Sequence, residues 1–176
     1  ELGFTGILVP EADGGLGLGH VEAGIVLEEI GRNLTPSPFL STAVAAVEAL
    51  KAGDADLRAQ WLPRIVSGDA IVALAIDEGA KHRPGSIAMV AERSGNGFKL
   101  SGKKQFVLHG HVADMLLVAA RTGGNSGEEA GITLFAIPKE TAGISVDVDR
   151  LVDSSLSARV SFDGVQVDAD AVVGEV

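Results

Sequence analysis

Several groups of residues in this sequence have types and spacings that can do chemistry. Asp77 and Glu78 are adjacent carboxylates that follow the apolar residues 71–76, and paired acids are common equipment for general acid–base work. Neighbouring residues of an extended chain point to opposite faces, so the two are not expected to converge on one substrate. His109-Gly110-His111 offers two imidazoles as metal ligands, but no third ligand accompanies them. Lys81, His82 and Arg83 form a basic run that can meet phosphate groups or lie in solvent. Gly14, Gly15, Gly17 and Gly19 suggest a phosphate-cradling loop. With Gly17 and Gly19 as the first glycines of the dinucleotide fingerprint the third position is Glu22, so the fingerprint fails and the glycines read as tight turns.

Composition narrows the classes further. Lys and Arg total 14 against 24 Asp and Glu, a formal net charge of -10. Such a surface repels phosphate backbones, so no nucleic-acid partner is expected, although a local pocket can still take a phosphate-bearing small molecule. Cysteine is absent, which removes disulfides, thiolate nucleophiles and thiolate metal sites together and is compatible with a cytoplasmic setting. The longest apolar runs, residues 71–76 and 115–120, are strand-sized, so no membrane span is expected. The first residue is Glu1 with no signal segment ahead of it, so the sequence reads as part of a longer chain.

The elements that must position these residues fall into two groups. Residues 2–10 are apolar and read as a short helix followed by an extended segment; Gly14 to Gly19 then form a loop. A helix is predicted over residues 21–31, with Val21, Ile25 and Ile30 near one face. Ser37-Pro38 starts an alanine-rich helix that stops at Gly53. Asp54 caps a further helix that carries Trp61 into the core and ends at Gly68. Beyond Gly68 the period becomes that of strands, at residues 71–76, 87–92, 98–101, 115–121, 132–137 and 160–162. Ser94-Gly95-Asn96-Gly97 reads as a tight hairpin and residues 123–131 as a polar loop. The expectation is an α+β chain: a helical domain over residues 1–68, then an antiparallel β-barrel or sandwich over residues 69–176.

In this order the segments resemble the acyl-CoA dehydrogenase family. The match is carried by Leu2-Gly3-Phe4-Thr5-Gly6-Ile7-Leu8-Val9-Pro10-Glu11, by Gly14-Gly15-Leu16-Gly17 and by Glu28-Glu29-Ile30-Gly31-Arg32. It continues through Trp61-Leu62-Pro63-Arg64-Ile65-Val66-Ser67-Gly68-Asp69, Gly102-Lys103-Lys104, Ala113-Asp114 and Phe162-Asp163-Gly164-Val165-Gln166-Val167. The resemblance implies FAD as cofactor, an acyl-CoA thioester as substrate and a flavin electron acceptor. It also implies an oligomer, either of identical chains or with a related acyl-CoA dehydrogenase subunit. The family's catalytic carboxylate comes from a third, helical domain, so no residue of this chain is expected to be the base.

The resemblance also places the flavin. The family's Thr-Glu-Pro run at the end of the first strand reads Asp77-Glu78-Gly79 here, after Leu74-Ala75-Ile76. Its Trp-Ile-Thr-Asn run reads Phe106-Val107-Leu108-His109, at a turn that makes the metal reading of His109 and His111 the weaker one. The expected flavin neighbours are therefore Leu74, Ile76, Asp77, Phe106, Val107 and Leu108. Both hydroxyl donors are replaced: Leu108 donates nothing, and an ionised Asp77 only accepts. The family's substrate-facing serine has no clear counterpart in Ala80-Lys81-His82-Arg83-Pro84-Gly85-Ser86. These departures leave two expectations side by side, a working dehydrogenase and a non-catalytic partner subunit with a degenerate flavin site.

Overall fold

The computed structural model describes residues 3–176, so Leu2 of the predicted amino-terminal segment lies outside the described residues. Phe4–Gly6 make one turn of 3-10 helix, and Ile7, Leu8 and Val9 then plunge into the core. The glycine loop folds back on them: Gly17 N–H donates to the Val9 carbonyl and Leu18 N–H to the Ile7 carbonyl, both at 2.9 Å. A Cβ on Gly15 would stand 2.1 Å from the Val9 carbonyl oxygen, so this close backbone approach demands glycine. The glycines thus serve tight turns and close backbone packing.

Helix α1 (His20–Arg32) buries Ala23, with Val26, Leu27 and Ile30 packed beside it. That is the i, i+3, i+4, i+7 stripe of an amphipathic helix. Of the predicted face Ile30 packs inward, whereas Val21 and Ile25 are 74% and 58% exposed. Ser37 Oγ accepts the Phe39 N–H at 3.2 Å, and the chain enters a π-helical segment, Leu40–Ala46, that runs into α2 (Val47–Leu50). Asp54 caps α3 (Ala55–Ser67) by accepting the Leu57 N–H at 2.8 Å, and Gly68 ends it in the left-handed conformation at φ 80°. Trp61 is a core residue, as expected, with the Arg64 guanidinium 4.5 Å above its ring.

One sheet follows, from β1 (Val72–Ala75), β2 (Val90–Ser94), β3 (Gly97–Leu108) and β4 (Met115–Arg121). It is completed by β5 (Ile132–Pro138), β6 (Ile144–Arg150), β7 (Leu156–Val167) and β8 (Val172–Val173). The strand order is β6-β7-β3-β2-β4-β5-β8, with β1 beside β4. This corrects the expected antiparallel barrel or sandwich. β1 and β2 both run parallel to β4, so the sheet is mixed, and its order ends on β6 and β8 without closing. The parallel pairs arise because the β2–β3 hairpin, turning at residues 94–97 as predicted, intervenes between β1 and β4.

Every residue of β4 is buried, the pattern of a strand covered on both faces. Val72, Met115 and Leu117 pack toward the helices, while Ala73, Leu116 and Val118 pack into a second core with Phe98, Phe135 and Val160. Thr42 joins the helical layer to the sheet: its hydroxyl donates to the Val72 carbonyl at 3.0 Å and accepts the Val72 N–H at 3.1 Å. β6 went unforeseen because its apolar residues alternate with aspartates along an edge, and β8 because it is two residues long. β3 and β7 outrun their predicted lengths and are bulged against each other, once between Leu100 and Gly102 and again between Lys104 and Val107.

Candidate functional site

The second bulge creates the site. Phe106 sits in it at φ 53° and is 46% exposed, whereas Val107, one residue on, is 1% exposed. Phe106 and Leu108 face outward together, next to Leu74, Ile76 and Asp77 at the end of β1. The π-helical segment closes the other side with Leu40, Ser41 and Ala45, and the cleft so formed has a volume of about 530 Å³. Five of the residues expected from sequence therefore share one cleft. Val107 is the exception: its side chain lies in the core beneath the sheet, so it can offer a ligand only backbone.

Asp77 and Glu78 diverge, as an extended chain requires. Glu78 turns inward, where its Oε1 accepts from Lys104 Nζ at 2.7 Å and the Met89 N–H at 3.0 Å, and its Oε2 accepts the Ala88 N–H at 2.8 Å. Burial pushes the Lys104 ammonium below the usual lysine value, and the hydrogen bond to Glu78 opposes that shift. Lys104 Nζ also donates to the Ile76 carbonyl at 3.0 Å. Gln105 finishes the frame: its N–H donates to the Asp77 carbonyl at 2.7 Å and its side-chain Nε2 to the Glu78 carbonyl at 3.0 Å. Each carbonyl of Ile76-Asp77-Glu78 is thus held by Lys104 or Gln105, which fixes the β1 end against the β3 end.

The Asp77 carboxylate does not stand free in the cleft. Its two oxygens lie 3.1 and 3.0 Å from His82 Nδ1, and one also accepts the Arg83 N–H at 3.3 Å. His82 lines the cleft in its own right. Lys81 and Arg83 instead border a separate hollow of about 470 Å³ with Gly79, Ala80 and Ser86.

His109 occupies the turn after β3 at φ 58°, where Val112 N–H donates to its carbonyl at 3.1 Å. Its Nδ1 is 3.0 Å from Ser41 Oγ, a link between the helical segment and the sheet. Burial holds its pKa below the usual histidine value, and the charge of His111 lowers it further. Among the described residues no three His, Cys, Asp or Glu side chains are grouped to hold a metal ion. Sequence reasoning missed Leu40, Ser41, Ala45 and Gln105 as cleft residues, since an apolar or small helix residue carries no mark of facing a ligand. His82 is visible in the sequence as one of a basic run that can meet phosphate groups or lie in solvent, and neither reading places it in this cleft.

Residues 1–69 match the family model for the acyl-CoA dehydrogenase N-terminal domain, and residues 75–165 match that for the middle domain. The chain belongs to the acyl-CoA dehydrogenase family. It is 34% identical to the mitochondrial 2-methylacyl-CoA dehydrogenase of Solanum tuberosum over 99% of this chain and 44% of that protein. It is 32% identical to the mitochondrial isovaleryl-CoA dehydrogenase of Pongo abelii over 99% of this chain and 43% of that one. Among solved structures, the Tcur3481-Tcur3483 steroid ACAD superposes with a TM-score of 0.87 at 27% identity, covering 99% of this chain and 46% of that chain. The chain thus spans less than half the length of the relatives it matches.

An acyl-CoA dehydrogenase cleft must suit a flavin. Leu40, Leu74, Phe106 and Leu108 suit the apolar faces of its ring system. The donor set differs from the family's, since Leu108 offers none and Asp77 is committed to His82. The cleft walls therefore fit the group; of the other polar side chains lining the cleft, Ser41 is engaged with Pro38 and His109, and Gln105 with Glu78, while His82 is held only by Asp77. Among the described residues no helix is long and apolar enough to cross a membrane.

Proposed function

We propose that this chain is the amino-terminal and middle part of a flavoprotein that binds FAD and carries out α,β-dehydrogenation of an acyl-CoA thioester. The observation that carries the reading is the cleft between Leu74-Ile76-Asp77 and Phe106-Leu108, which brings together the strand ends to which the resemblance assigns the flavin. FAD, when bound, accepts a hydride from the acyl β-carbon. The chain's own contribution is to bind and orient. Phe106 and Leu108 on one side and Leu40 on the other make a slot for a flat apolar ring and exclude water from it, while the Lys104-Gln105 frame braces the strand end that borders it. No residue here is assigned as the base that removes the α-proton.

A second reading has its own observation. Neither Asp77 nor Leu108 supplies the expected hydroxyl, which points to a partner subunit whose flavin site has decayed. A similar solved protein is named for a pair of components, Tcur3481 and Tcur3483, and paired subunits of this kind suit that reading. In either case the assembly is an oligomer, of identical or related subunits, that passes electrons on to a flavin electron acceptor. The test is the visible absorbance of the full-length protein, purified alone and after co-expression with a related subunit. Flavin bound by the protein alone and bleached by an acyl-CoA favours the first reading. Flavin and turnover only in the mixed complex favour the second.

A further inference from the structure

We propose, resting on the reading that this cleft takes a flavin, that His82 is the side chain that hydrogen-bonds the polar edge of the ring, with Asp77 as its positioning residue. The hydroxyl expected at position 77 is replaced by a carboxylate, and that carboxylate is engaged by a neighbouring side chain. It holds His82 Nδ1 at 3.0 and 3.1 Å, which would carry the polar function of position 77 one hydrogen bond further out, onto the imidazole.

The chemistry follows from the geometry. A carboxylate acceptor fixes the proton on Nδ1, and Nε2 is left as the nitrogen available to a ligand. When the ring is protonated, Nε2–H is a cationic donor, suited to the negative charge that gathers on a flavin as it is reduced.

Exposed ion pairs are usually worth little, and the His82 side chain is 68% exposed. Two features set this pair apart. The Asp77 backbone is clamped, with its own carbonyl and those on either side accepting from Gln105 and Lys104, and these are the residues that lead into Phe106 and Leu108. The Asp77 carboxylate is also pinned a second time by the Arg83 N–H, at 3.3 Å. The imidazole, on the loop that follows β1, is therefore tied through Asp77 to the strand end that carries part of the apolar wall, and it lines the same cleft.

The experiment measures the two-electron midpoint potential of FAD in the full-length protein, in whichever preparation (alone or with its related subunit) holds the flavin. His82→Gln should weaken binding of reduced relative to oxidised flavin about tenfold, a drop of about 30 mV, with the urea midpoint of the apoprotein unchanged. Adding Leu108→Thr to His82→Gln should recover part of the drop by returning a hydroxyl to the cleft. Flavin retained with an unchanged potential in His82→Gln overturns the proposal and leaves the flavin site standing. Wild-type protein that holds no flavin in either preparation sinks the flavin reading itself, and this proposal with it. Should His82→Gln hold no flavin, Asp77→Asn decides, because it keeps the imidazole and removes the charge that orients it: a lowered potential supports the assignment, and an unchanged or raised one, the latter showing that the carboxylate acts on the flavin directly, overturns it.

Discussion

Lys104 Nζ lies 2.7 Å from Glu78 Oε1, with the lysine side chain wholly withdrawn from solvent. Two partners tie the ammonium to the β1 end, so the pair braces the strand end that borders the cleft as well as making a core contact. Removing one partner strands the other's charge out of water. Lys104→Met is expected to cost about 3–5 kcal/mol, and the Lys104→Met/Glu78→Gln double variant less than the sum of the single changes. Urea denaturation of each variant measures this.

Thr42 is the hydroxyl that joins the helical layer to β1. Thr42→Val keeps the shape but leaves the Val72 N–H and carbonyl without that partner, at an expected cost of about 1–3 kcal/mol. Amide hydrogen exchange reads it directly: the Val72 amide should lose protection relative to Leu117, which lies on the neighbouring strand β4.

Phe106 and Val107 should behave oppositely, though adjacent. Val107→Ala opens a hole in the sheet core and is expected to cost about 2 kcal/mol of stability without changing the cleft walls. Phe106→Ala removes a half-exposed ring, with an expected stability change of about 0.5 kcal/mol, but lowers the fraction of FAD retained through gel filtration. Urea midpoints and the flavin-to-protein absorbance ratio separate the two effects.

His109 makes stability depend on pH. Its folded pKa is lowered by burial, so the unfolded chain binds the proton more readily. Its contribution is therefore fully present above the unfolded value, near pH 6.5, and is lost as pH falls through the lower folded value. His109→Asn should flatten that part of the stability profile. Urea midpoints collected between neutral and mildly acidic pH test the slope.

Local signals were legible where the partners are close in sequence. Asp54 and Gly68 bracket α3 because a cap bonds within one turn, and the all-apolar run of β4 announces a strand buried on both faces. The α1 face was legible only in part because the exposed Val21 and Ile25 are as apolar as the residues that are buried, and the choice among apolar stripes rests with what packs against them.

By itself the sequence determined the family and the succession of helices and then strands, and it pointed to the two strand ends that meet in the cleft. Tertiary structure decided the rest. The bulge opposite β7 puts Phe106 outside and Val107 inside; its partner residues lie more than a strand's length away, so no local pattern encodes it. Whether β1 runs parallel or antiparallel to β4 depends on the path taken through the β2–β3 hairpin, which strand propensity does not specify. The pairing of Asp77 with His82, and the closing of the cleft by Leu40 and Ser41, likewise exist only once distant backbone is fixed in place. Propensity acts over a few residues, whereas a binding site is assembled by contacts between segments that meet only in the folded chain.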